Sequence, residues 1–388
     1  MAETTYRAKI AIVGGGLVGF SIAYHLTKLG ESDVVVVERE EALGLHSTGK
    51  SAGGFRAQFT SEINIRMSLL SIPELIRFPE EVDPNAYVQQ VGYLFLATTE
   101  EELNQFRENV SFQRELGLEE VVLIEEPREL LKYSPVINVE DLVGGTFSPS
   151  DGFFDPYEIM MGYQKRAREA GVKVLLGAEV TAFESTNHRV SGLVTSKGLI
   201  ECEQVVIAAG AWSGRIAKLV GVEVPIEPIV RKLLDTEPIP QIPMTNPLTI
   251  DIHTGFYFRP DTGNTVLMGW ADPTEPSFEG EVDWEWKMKV VEMAIHRVPV
   301  LAEAKLRDGW WGLYDTTPDH HAVIDRLDPW ENLFMAAGFS GHGAMHSPAT
   351  GRLMAEWLVF GEPKSLDISP LTYQRFARGE LIHERNVI

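Results

Sequence analysis

Gly14, Gly16 and Gly19 stand two and three residues apart, directly after an apolar run. That spacing suits a tight turn. The first glycine gives a permissive backbone, the second lets a phosphate come close, and the third lets helix pack on strand. Glu38 closes the next apolar run, and its carboxylate can accept hydrogen bonds from ribose hydroxyls while its charge disfavours a 2′-phosphate. The chemistry implied is recognition of a dinucleotide, with Arg39, His46 and Ser47 following in the same stretch. Two further glycine-rich segments succeed apolar runs: one holds Ala209, Gly210 and Trp212, the other Gly338, Gly341, His342 and Gly343. NAD and FAD share the grip on adenine and pyrophosphate. Several close backbone approaches favour the longer flavin dinucleotide.

A second set of residues suits a small acidic substrate. Arg56 follows a Gly-Gly pair, and its planar fork can bind two carboxylate oxygens. Arg259 is the competing clamp, and Tyr257 shares its strand face at i and i+2. His342 lies between glycines at a helix start, where N–H groups and the helix dipole stabilise negative charge; a general base is the alternative. His320 and His321 are adjacent and do not share a face, so no metal site is expected. Trp284, Trp286, Trp310 and Trp311 read as packing.

These residues need a scaffold. Lys9–Val13 and Asp33–Val37 read as buried parallel strands flanking a helix from Leu17 to Leu29. A helix over 60–77 should stop near Pro79, and another should run over 157–170 until Gly171. Val180–Phe183, Val190–Thr195 and Gly198–Glu201 form a small antiparallel insertion before the buried strand Gln204–Ala209. Phe256–Phe258 and Val266–Met268 pair across Asp261–Asn264, and the last strand, Leu333–Ala336, precedes a helix over Ala349–Phe360.

The fold class is therefore α/β, a Rossmann-like cofactor domain interleaved with an α+β substrate domain containing a large antiparallel sheet. The first domain takes residues 1–80, 149–224 and 317–388; the second takes 81–148 and 225–316.

Composition excludes other classes. The chain has 388 residues, 34 basic and 56 acidic, for a formal charge of −22, which repels nucleic acid and anionic lipid. Its one cysteine, Cys202, can form no internal disulfide, and no apolar run reaches membrane-span length. The expectation is a cytoplasmic protein without membrane insertion.

GGGLVG at 14–19, STGKSAGGFR at 47–56, VVIAAGAWS at 205–213, GFYFRP at 255–260, TPDHHAVID at 317–325 and GFSGHGAMHSPATG at 338–351 together resemble the D-amino-acid-oxidase-like flavoproteins. The likeness is to their glycine and sarcosine oxidase branch, including β-subunit-like sarcosine oxidases and related L-proline dehydrogenases. It implies bound FAD and oxidation of the C–N bond of a small secondary amino acid such as sarcosine, by hydride transfer to flavin N5. It also implies dioxygen as acceptor, giving peroxide. The alternatives are a proline or N-methyl amino acid dehydrogenase with an electron-accepting partner in a homo- or hetero-oligomer, or a non-catalytic flavin-binding subunit. Ser51, Ala52, Gly53 and Val180 join the cofactor set by resemblance, and Tyr314 joins as a pocket residue on the same ground.

Two departures bear on chemistry. Relatives attach flavin through a C-terminal cysteine or a histidine in the slot that is Ser51 here; the lone cysteine is at 202 and His46 is displaced, so the FAD is expected to be noncovalent. Met345 stands where relatives place a carboxylate-binding lysine, and would be an apolar substrate wall. Leu267 stands where they place an oxygen-activating lysine.

Overall fold

The computed structural model describes residues 4–386. Four strands, Lys173–Leu175, Val34–Val37, Ile10–Val13 and Gln204–Ile207, lie parallel in that order and continue into Leu333–Ala337; Val323–Arg326 closes the edge antiparallel. Period-two alternation explains why these runs are apolar throughout. Ile10, Ile12, Val34, Val36 and Val206 face a helical layer, whereas Ala11, Val13, Val35, Val37 and Val205 face a second sheet. That sheet holds Val180–Thr186, Arg189–Thr195 and Gly198–Glu201, joined in parallel by Thr4–Arg7.

Helix Leu17–Lys28 packs against helices Pro156–Glu169 and Gly343–Phe360. Asp155 starts the former by accepting the N–H groups of Tyr157 and Glu158. The latter begins six residues before its sequence-based start, with Pro348 inside. Pro348 cannot donate to the Ala344 carbonyl, but the Ser347 hydroxyl does so at 2.9 Å. Helix Glu62–Glu81 likewise continues past Pro79.

The chain leaves this body twice, and both excursions build one eight-stranded sheet. Its order is Trp310–Thr316, Glu227–Asp235, Thr265–Trp270, Phe256–Asp261, Leu248–Asp251, Tyr93–Ala97, Gly144–Ser148 and Val122–Ile124. Every pair is antiparallel except Leu248–Asp251 with Tyr93–Ala97. Those two strands belong to different excursions, so no hairpin sets their direction, and the sheet is mixed rather than purely antiparallel. Phe256, Phe258, Val266 and Met268 pack with Trp286 and Val290 of helix Trp284–Arg297. Trp284 does not pack as expected; it is 71% exposed on the outer face of that helix. No helix among the described residues is long and apolar enough to cross a membrane.

Candidate active site

A cavity of about 530 Å³ runs from the Gly14–Gly16 turn, past Glu38 and Trp212, to Arg231, Tyr257 and Tyr314 on the eight-stranded sheet. Gly14 has φ +118°, and a Cβ there would fall 2.3 Å from the Ala208 carbonyl oxygen. No other residue type fits that turn. Glu38 locks it by accepting the N–H of Gly15 at 2.8 Å and of Glu40 at 3.0 Å. The helix that follows has no cap from its own N-cap residue, Gly16, and no acid in its first turn; Thr48 takes the Leu17 N–H, and the next N–H groups and the positive dipole end stay open to an anion. The residues present thus fit the pyrophosphate of a dinucleotide.

Along the wall, the Arg39 guanidinium lies 4.0 Å from the Trp212 ring centroid, and His46 Nε2 is 2.9 Å from Glu40 Oε1. Ser47 donates to the Leu313 carbonyl at 2.7 Å, tying the first domain to the sheet. Ser51, Ala52, Val180, Ala209, Gly210, Gly341 and Gly343 also line the cavity. Gly19 and Gly53 lie behind it: a Cβ would meet the Gly14 oxygen at 2.0 Å in the first case and the Phe154 oxygen at 2.0 Å in the second. Gly338 lies off the wall as well, donating its N–H to Asp315 at 2.7 Å. Burial pushes Asp315 up to about 6 despite that bond.

The residues expected at the substrate divide sharply. Tyr257 lines the cavity, but Arg56, Arg259, His342 and Met345 do not. Arg56 is buried and engaged, donating from Nη1 to the Gln58 carbonyl at 2.8 Å and from Nη2 to the Asn386 carbonyl at 2.5 Å, with Phe59 4.1 Å away. Arg259 braces the cavity from behind through the Ala52 carbonyl at 2.7 Å and Asp261 at 3.0 Å. Met345 packs in the main core. His342 is edge-on to Phe59 at 4.8 Å, and burial, reinforced by Arg56, drives its pKa well below the ordinary imidazole value, so it is neutral. His321 hydrogen-bonds Ser61 at 2.8 Å and the Asp319 carbonyl at 2.7 Å, a corner rather than a ligand set.

Sequence reasoning missed Thr48, Lys50, Arg231 and Leu233 on this wall. Thr48 accepts the Leu17 N–H at 3.1 Å, and Lys50 lies 4.6 Å from the Trp311 ring. For Arg231 the one available signal was a pair of glycines, Gly269 and Gly312, inside strands that pair with its own.

Residues 9–357 match the family described as FAD dependent oxidoreductase. Over 98% of its length the chain is 34% identical to FAD-dependent oxidoreductase domain-containing protein 1 of Xenopus laevis, covering 85% of that protein. The solved structure of L-proline dehydrogenase from P. horikoshii matches with TM-score 0.92 and 32% identity, over 97% of this chain and 100% of that one. Glycine oxidase from Geobacillus kaustophilus matches with TM-score 0.86 and 28% identity, over 96% and 99% of the two chains.

Proposed function

Because the chain belongs to the FAD dependent oxidoreductase family, we propose that it oxidises the C–N bond of a small α-amino acid, with secondary amines such as sarcosine or proline as the favoured class. The observation that carries this reading is one continuous cavity with a phosphate grip at one end and a cation with two phenols at the other. Bound FAD supplies the two-electron acceptor for such an oxidation.

The chain's own residues divide the remaining work. The close backbone approach at Gly14–Gly16 and the N–H groups that follow Leu17 in helix Leu17–Lys28 would hold the pyrophosphate. Glu38 spends one hydrogen bond per oxygen on the turn, which leaves lone pairs for ribose hydroxyls. Burial raises the pKa of Tyr257 and Tyr314, so both phenols stay protonated and can donate to an acidic substrate. Leu233, Leu313 and Phe339 supply apolar wall that excludes water from the reacting end. A noncovalent FAD is supported by Cys202, which lies off the cavity with its thiol pushed up to about 12 by burial, and by Ser51 in the slot where relatives carry the attaching histidine; His46 on the same wall is engaged by Glu40.

The acceptor has two readings. Dioxygen follows from the sarcosine oxidase resemblance. Onward transfer to a partner or carrier is favoured by Leu267, a buried apolar residue where a cation would help form superoxide. The test is anaerobic titration of the FAD-loaded protein with sarcosine, dimethylglycine, glycine and L-proline, followed by air. Bleaching by one of them is expected, and slow reoxidation marks the dehydrogenase. A flavin that no amino acid bleaches contradicts amine oxidation altogether.

A further inference from the structure

Cross-strand neighbours share a face of a sheet, and the register here assembles a cavity-facing surface. Arg231 pairs with Gly312, and Leu233 pairs with Gly269, which in turn pairs with Tyr257. The two glycines hold this surface open. A Cβ at Gly269 would strike the Tyr257 ring at 2.2 Å, and one at Gly312 would press on Lys50 at 3.1 Å. Beside this opening the Arg231 guanidinium stands 5.4 Å from the Tyr314 ring.

Among the cations on this wall, which include Lys50 and Arg215, Arg231 is the one with a buried donor left unpartnered. Its hydrogen bonds to the protein all leave from Nη1, to the Val230 carbonyl at 3.1 Å, the Asp272 carbonyl at 3.2 Å and Thr274 Oγ1 at 3.1 Å. Its Nε is buried and donates to nothing, and among the described residues no carboxylate forms an ion pair with it. Arg56 and Arg259 have their forks committed, whereas Arg231 keeps its charge and one edge uncommitted on the wall of a cavity in a strongly acidic protein. An orphaned donor and an unneutralised charge are costs that an arriving anion removes.

We infer that Arg231 is the residue that receives the substrate carboxylate, with the Tyr257 and Tyr314 hydroxyls beside it, and that Arg56 is a structural brace. This rests on the reading of the cavity as an amino-acid site. Nη2 meets the carboxylate first, and a small rotation of the fork brings Nε to the second oxygen, the bidentate geometry that a lysine cannot reproduce.

The test uses FAD-loaded protein and an unreactive probe, pyrrole-2-carboxylate, with pyrrole-2-carboxamide as its neutral counterpart, titrated against the flavin absorbance. Arg231→Met should weaken carboxylate binding by about a hundredfold and Arg231→Lys by about tenfold, with carboxamide binding unchanged. Equal affinity in wild type and either flavin-retaining variant overturns the assignment, as does the absence of saturable binding in wild type. If Arg231→Met does not retain flavin, the lysine variant decides by the same criterion. Arg231-dependent probe binding in a protein that no amino acid bleaches would sink the amine-oxidation reading while leaving the anion site standing. Bleaching by an amino acid with probe binding indifferent to Arg231 would do the reverse.

Discussion

His346 offers a prediction whose size follows from its surroundings. Its side chain is 2% exposed, with Nε2 2.9 Å from Ser68 Oγ and the Phe59 ring 5.4 Å away. Burial, with the Arg56 charge adding to it, lowers its pKa to about 3. A folded value below the unfolded one means that the unfolded chain takes the proton first as pH falls. The stability this neutral imidazole contributes is complete above about pH 6.5 and is lost progressively as pH falls from there towards about 3. At about pH 5 the unfolded residue is protonated and the folded one is not, so the loss is about 1.5 pH units, or about 2 kcal/mol. Asp151 and Asp315 run the other way. Burial raises both to about 6, so their contribution is complete below about pH 3.8 and is lost as pH rises through about 6. The perturbation is His346→Gln, whose amide can still meet Ser68 but does not titrate, and the two aspartates then cancel between the proteins. The assay is urea unfolding at about pH 7.5 and about pH 5, where the wild type should lose about 2 kcal/mol more than the variant. Parallel losses would refute the reasoning, because they would mean that the folded protein admits the proton at this site.

The other predictions concern the cavity. Gly14→Ala places a methyl 2.3 Å from a backbone oxygen at φ +118°, so the protein should purify with little flavin and bind added FAD at least about tenfold more weakly; a normal ratio of flavin to protein absorbance contradicts this. Gly269→Ala drives a methyl into the Tyr257 ring and should cost about 1–3 kcal/mol of stability. It should also lower kcat/KM by more than about tenfold, since the displaced ring enters the cavity; unchanged kinetics would show that the ring has room elsewhere. Acid precipitation should release all the flavin into the supernatant, because the Cys202 thiol is buried away from the cavity and Ser51, which cannot attach flavin as a histidine does, stands in the histidine slot. A fluorescent protein band on a denaturing gel would overturn that.

What was legible in the sequence is what a local segment can encode alone. The turn must have glycine at Gly14, the helix can pack on that turn only with glycine at Gly19, and a buried parallel strand must be apolar on both faces, so the cofactor end was readable. The substrate end is assembled by register between distant strands. Nothing beside Arg231 marks it, and its place follows from pairing of Glu227–Asp235 with Thr265–Trp270 and Trp310–Thr316. The engagement of Arg56 was hidden for the complementary reason. The Gly-Gly before it suggests a flavin-facing loop, but its fork is claimed by the carbonyl of Asn386, 330 positions later. Met345 was placed at the substrate by analogy with a lysine, whereas an earlier helix start turns it into the core.

One measurement bears on all of this at once: the experimental structure of the protein with FAD and pyrrole-2-carboxylate bound. The adenosine should lie against Glu38, the pyrophosphate over the Gly14–Gly16 turn, and the carboxylate on Arg231 between Tyr257 and Tyr314. A dinucleotide outside this cavity, or a carboxylate held by Arg56, would contradict the assignment of its two ends.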